Sequence, residues 1–147
     1  MEVTLSKALK IKNRLISEVQ DLQSKIREYN QVHEDNFAPF NVEEMLNELQ
    51  ATKEKLVTLK TNIHNKCEPI RNNIFKISEL KDTLKFLSEV PTKSGMVKSH
   101  SYSQEMIPMK SYISSMEMDK HIKTIRAEIE DLQDTIDVFN AKTTILV

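Results

Sequence analysis

The sequence predicts a mainly α fold: long antiparallel helices packed as a coiled-coil-like bundle, with a loop or small β-hairpin excursion over 91–114. Three observations lead there. Leu, Ile, Val and Met recur at alternating spacings of three and four, the period of helices that pack in a left-handed supercoil. A single Gly in 147 residues leaves little room for tight β-turns, which need positive φ. The four prolines, at 39, 69, 91 and 108, fall outside the periodic stretches. The length suits one helical domain, 1–147, with helices at about 4–30, 41–67, 78–90 and 115–140.

The first helix, 4–30, opens at Thr4, whose side-chain oxygen suits an N-cap. Leu15, Val19, Leu22, Ile26 and Tyr29 form its stripe, broadened near the start by Leu5, Ala8, Leu9, Ile11 and Ile16. Segment 31–41 breaks the pattern, and Phe37 and Phe40 are expected to fold back on the helix ends. Asn41 with Glu44 three residues on has the form of a capping box. The second helix follows with Val42, Met45, Leu49, Thr52, Leu56, Leu59 and Ile63. Pro69 disfavours helical geometry at Glu68, so this helix should end near 67.

Ile70, Ile74 and Ile77 fit either a continued helical stripe or a short extended connection. From Ser78 the helical pattern is clear, through Leu80, Leu84 and Leu87 to Pro91. Segment 91–114 then holds the only Gly, two prolines and many serines. Within it Met96–Tyr102 and Met106–Ile113 partly alternate, as a mobile loop or a hairpin would. Ser114 and Glu117 make a second capping box. The last helix has the most regular stripe: Met118, Ile122, Ile125, Ile129, Leu132, Ile136 and Phe139. The β-branched tail from Thr143 to Val147 suits a strand or a docking segment. A narrow helical hairpin buries one stripe per helix, so matching stripes between subunits is expected, giving a homo-oligomer.

Composition excludes several classes. A net charge of −1 is not that of a general nucleic-acid binder. One Gly rules out a glycine-cradled phosphate loop. One Cys rules out an internal disulfide or a Cys-rich zinc site and suits the cytoplasm, as does an N-terminal stretch too charged for a secretion signal. No apolar run approaches the length of a membrane span. Charge is unevenly spread, however. Residues 31–50 carry Glu34, Asp35, Glu43, Glu44 and Glu48 with no Lys or Arg, whereas 51–100 carry ten basic groups against five acidic. These suit helix faces that pair by charge, or a basic strip for an anionic ligand.

Few residues suggest chemistry. His64 and Cys67 have a spacing that two metal ligands can use, but the other histidines lie in other elements, so no metal and no cofactor are expected. The carboxylates sit on helix surfaces rather than opposed across a cleft, which argues against an enzyme. Lys98, His100, Tyr102, Gln104, Glu105 and Lys110 form the richest polar cluster. It suits a phosphate-bearing or planar ligand, or an ordinary solvated loop. Met96, Met106, Met109, Met116 and Met118 fall in one 23-residue stretch, suited to the core beneath the excursion or to an adaptable interface.

The opening VTLSKALKIKNRL (3–15), QVHE (31–34), VEEMLNEL (42–49), SELKDTL (78–84), MKSYISSMEM (109–118) and IEDLQDTIDVFNAKTTIL (129–146) together resemble the bacterial septicolysin-like family. The resemblance places Glu34, Lys110 and Asn140 on family-like polar positions. His64 and Cys67 stand where that family has asparagines, and Ala141 where it has a tryptophan. The family label implies a membrane-active toxin. Three roles follow from residues and resemblance together. The first is a non-enzymatic helical interaction protein with a protein partner. The second is a binder of a small anionic, nucleotide-like ligand between subunits, using Glu34, Lys98, His100, Tyr102, Lys110 and Asn140. The third is the toxin.

Overall fold

The computed structural model describes residues 1–98 and 105–147. The elements run β1 (Glu2–Thr4), α1 (Leu5–Tyr29), α2 (Val42–Lys66), a 3-10 turn (Glu68–Ile70), α3 (Arg71–Glu89), β2 (Gly95–Lys98), β3 (Met106–Met109), α4 (Ser115–Lys142) and β4 (Thr144–Leu146). The fold is mainly α, with two antiparallel two-stranded sheets, β1–β4 and β2–β3. The chain forms two compact units, 1–70 with 137–147, and 71–136.

In the first unit α1 and α2 pack antiparallel along the stripes that the sequence sets out. On α2, Met45, Leu49, Thr52, Leu56, Leu59 and Ile63 are all buried. On α1, Leu5, Ala8, Val19 and Leu22 are buried. The apolar side chains gather in two clusters. Val19, Leu22, Met45 and Leu49 pack near the loop that joins the helices. Leu5, Ala8, Leu59 and Ile63 pack at the other end with Val3 and Ile145, and Phe139 of α4 rests on them.

Val3 and Ile145 come from the small β1–β4 ladder, in which Glu2 faces Leu146, Val3 faces Ile145 and Thr4 faces Thr144. Alternation turns Val3 and Ile145 to the helices and leaves Glu2 and Leu146 outside. The Leu5 N–H donates to the Thr143 carbonyl at 2.7 Å, the Val147 N–H to the Met1 carbonyl at 3.0 Å, and Thr144 Oγ1 to Glu2 Oε1 at 2.6 Å. Leu5, immediately inside this clasp, is wholly shielded from solvent. The tail therefore pairs as a strand, and its partner is the segment before α1, which the periodicity does not mark.

The expected caps are made. Thr4 Oγ1 accepts from the Lys7 N–H at 3.3 Å, Asn41 Oδ1 from the Glu44 N–H at 3.2 Å and Ser114 Oγ from the Glu117 N–H at 3.2 Å. Each satisfies one of the first orphan N–H groups of its helix. At the other end of α2, Cys67 caps the helix through its N–H to the Ile63 carbonyl, and the Ile70 N–H reaches back to the Cys67 carbonyl. Pro69 sits in that single 3-10 turn, as its fixed φ allows.

Helix resumes at once, at Arg71 rather than Ser78. Over 70–77 the inward positions are Ile70, Asn73 and Ile77; Ile70 and Ile77 are buried, Asn73 half-buried, and Ile74 exposed. An Asn occupies the stripe and an Ile stands outside it, which is why apolar spacing alone leaves this stretch open. Leu80, Leu84 and Leu87 continue half-buried on α3. On α4, Ile122, Ile125, Ile129 and Leu132 do the same between buried Met118 and Ile136.

The excursion is a hairpin with Gly95 facing Met109, Met96 facing Pro108, Val97 facing Ile107 and Lys98 facing Met106. Gly95 has φ of 87°, the one backbone position where the chain uses its single glycine for a left-handed conformation. Lys76 Nζ meets Glu128 Oε1 at 2.8 Å, joining α3 to α4. These two residues stand equally far in sequence from the reversal point that the strand pairs share. The second unit thus holds α3 and α4 on either side of the β2–β3 ladder, with the Lys76–Glu128 pair linking the two helices.

Because Leu5 seals the cluster beneath the β1–β4 clasp, Leu5→Ala is expected to lower the unfolding free energy by about 2–5 kcal/mol. Urea melts followed by circular dichroism measure this, and a loss below about 0.5 kcal/mol, the range of neutral surface changes, would contradict it.

Candidate functional site

The residues expected to bind a ligand are divided between the two units. Glu34 is exposed in the loop between α1 and α2. Asn140 lies in the last turns of α4, beside the cluster at the opposite end of the same helix pair. The length of α1 separates them, roughly 36 Å at 1.5 Å per residue. Asn140 Oδ1 is buried without a hydrogen-bond partner among the described residues. Lys98 and Lys110 belong to the second unit and flank opposite ends of the β2–β3 ladder, both exposed. Lys110 Nζ lies 5.2 Å from the centre of the Tyr112 ring, a cation–π distance. His100, Tyr102 and Gln104 lie outside the described residues. Cys67 is half-buried against the apolar cluster at the end of α2, and no group of three His, Cys, Asp or Glu residues is arranged to hold a metal among the described residues.

Two open grooves lie in the first unit. One, of about 730 Å³, runs along α1 and α2 over Ile11, Leu15 and Leu59, with Arg14, Glu18, Glu54 and Lys55 on its rim. Arg14 Nε already faces Glu18 Oε1 at 3.6 Å, so part of this rim charge is paired. The other, of about 600 Å³, is lined by Glu2, Asn62, Lys66 and Leu146. Asn62 Nδ2 donates to the Leu146 carbonyl at 3.5 Å where the tail passes. Neither groove includes any of the six expected residues.

The more distinctive features are exposed apolar side chains at the tips of the two units. On the hairpin and the turn after it, Met96 (58% exposed), Met106, Ile107, Met109, Tyr112 (91%) and Ile113 all face solvent, with Met116 at the start of α4. Of the five clustered methionines only Met118 is buried. Facing residues of a ladder share a side, so Met96 and Met106 lie on one face of the hairpin and Ile107 and Met109 on the other. Apolar groups therefore occur on both faces. Phe75 and Phe86 of α3 are also exposed, each off the inward stripe. An aromatic residue out of phase with a heptad is the signal that would have marked them.

At the tip of the first unit the two loop phenylalanines behave differently. Phe40 folds back as expected: its ring meets Tyr29 edge-on at 5.6 Å, and Lys25 Nζ sits 5.4 Å from its centre. Asp21, hydrogen-bonded to Lys25 at 2.8 Å, pushes that lysine above the ordinary range. Phe37 does not fold back and is 95% exposed. It follows a tight turn, with the Asn36 N–H on the His33 carbonyl, that carries it away from the helix ends.

These features define a mainly helical protein of two compact units, each with exposed apolar side chains. A family model, described as a family of unknown function (DUF6847), matches residues 12–145, nearly the whole chain. The chain belongs to that family. No curated protein and no solved structure matches it. The expected kinship with septicolysin-like proteins is thereby corrected. The segments that carried it are amphipathic charged helices, and their three-and-four spacing recurs wherever helices pack in pairs. The toxin role rested on that kinship and loses its ground. No helix among the described residues is long and apolar enough to cross a membrane.

Phe40→Ala is expected to cost about 1 kcal/mol of stability, from the lost edge-on ring pair and cation contact. Phe37→Ala should change stability by less than about 0.5 kcal/mol. Thermal or urea melts of the two variants side by side test the contrast, and equal losses would refute it.

Proposed function

We propose that this chain is a non-enzymatic interaction protein of the cytoplasm that acts as a homo-oligomer and through it presents a surface to protein partners. The observation that carries this reading is the exposed, methionine-rich β2–β3 tip. Met is flexible and polarizable, suited to surfaces that adapt to another protein. Contiguous exposed apolar patches mark interaction sites. A two-stranded hairpin is marginally stable alone, so apolar groups on both of its faces gain from being covered. The half-buried stripes of α3 and α4 point the same way, since their apolar side chains remain partly uncovered. Binding of a small anionic ligand draws less support, because Lys98 and Lys110 stand apart and the polar residues expected with them are spread over two units.

Sedimentation equilibrium tests the assembly directly. A mass at least twice the 17.1 kDa of one chain is expected at about 10 μM. Native mass spectrometry of the same sample should show that oligomer without an added mass of a few hundred daltons. A compact monomer up to about 100 μM would overturn the reading, and a retained small molecule would turn attention to ligand binding.

A further inference from the structure

We infer that the β2–β3 tip of one copy docks on the acidic loop end of α1 and α2 of a second copy. The inference rests on the self-assembly reading above and supplies the two surfaces for it.

The two tips complement each other in charge. Among the described residues of 90–114, Lys93, Lys98 and Lys110 stand against Glu105 alone. Residues 31–50 carry five acidic groups and no Lys or Arg. The nearest cations on the adjoining end of α1 are Lys25 and Arg27, and Lys25 is already held by Asp21. The loop end thus keeps a net negative charge where the hairpin is net positive.

The tips also match in apolar content. The loop end presents Phe37, with Val32 and Leu46 exposed nearby in sequence. The hairpin presents Met96 and Met106 on one face, the face that also carries Lys98, as side chains that can mould around an aromatic ring. Among the described residues both patches are exposed.

Charge decides between the possible occupants. Two hairpin tips would set lysine against lysine, and two loop ends carboxylate against carboxylate, so neither patch suits its own copy. An anionic lipid surface would satisfy the lysines but leave Phe37 and the acidic loop uncovered. A second copy meets both needs with one contact. Such a contact joins two different patches, so it closes by symmetry into a reciprocal pair or ring, or else runs on as a filament. It should weaken as salt screens the exposed charges.

The test uses the full chain in sedimentation velocity, with Lys98→Glu/Lys110→Glu and Glu34→Lys/Glu43→Lys as the paired variants. All four sites are exposed, and circular dichroism verifies that helix content is kept. Wild type is expected to associate, and each double variant to associate about tenfold or more weakly. An equimolar mixture of the two should recover association, because the reversed charges then face each other. Phe37→Ser should weaken assembly by a similar factor without changing charge, as loss of an interface aromatic does. If wild type associates and neither double variant changes it, or the mixture fails to recover it, the proposed contact is wrong while the assembly reading stands. If wild type stays monomeric at about 100 μM, the assembly reading itself fails. Flotation with phosphatidylglycerol vesicles provides the remaining arm: lysine-dependent capture without self-association would replace the second copy with a lipid surface.

Discussion

The fold depends on the clasp that joins the two ends of the described chain. Two antiparallel helices bury only the line along which they touch. In the first unit that line ends in a cluster that neither helix completes. Val3 and Ile145, turned inward from β1 and β4, close it over Leu5, Ala8, Leu59 and Ile63, and Phe139 of α4 packs alongside. The ladder is only three pairs long, too short to stand by itself. It holds because its inward residues are the roof of a helical core and because the Leu5 N–H, at the start of α1, bonds to the Thr143 carbonyl. Helix start and strand end are thus fixed by the same few atoms.

Among the described residues the second unit shows no comparable roof. Its helices carry stripes that are mostly half-buried, and they are linked by the β2–β3 hairpin and by the Lys76–Glu128 bridge. That bridge is partly exposed and contributes little to stability. Its value is geometric, since it marks the same register as the β2–β3 ladder. The large apolar side chains of Phe75 and Phe86 lie off the stripes and are exposed. They gain contacts only from whatever covers them.

How much was legible in the sequence follows from how far each signal reaches. Caps are local, so Thr4, Asn41 and Ser114 could each be read from three or four neighbouring residues. A heptad is also local, and the buried residues of α2 fall on its stripe without exception. The signal failed where a polar residue took a seam position, as Asn73 does, because spacing registers apolar residues and not inward direction. It also failed for β1, whose three residues gain a meaning only from β4, at the far end of the sequence. The site was least legible. Glu34 and Asn140 rest on resemblance, Lys98 on chemical type and Lys110 on both, and neither criterion carries distance. The resemblance itself drew on amphipathic repeats that many unrelated helices share. The methionine cluster is plain in the sequence, but only exposure separates Met96, Met106 and Met109 from buried Met118.

The clasp also bears on the order of events during synthesis. Strand β1 emerges from the ribosome early and its partner late, separated by 142 residues at the Thr144–Glu2 hydrogen bond. At 5–20 residues per second that interval is roughly 7–28 s. Through it, α1 and α2 can zip together from their connecting loop, where Val19, Leu22, Met45 and Leu49 form a complete local cluster. The end around Leu5 has to wait. A nascent chain therefore spends seconds with one finished end and one open, apolar end, and a co-translational chaperone would find its footing at the latter.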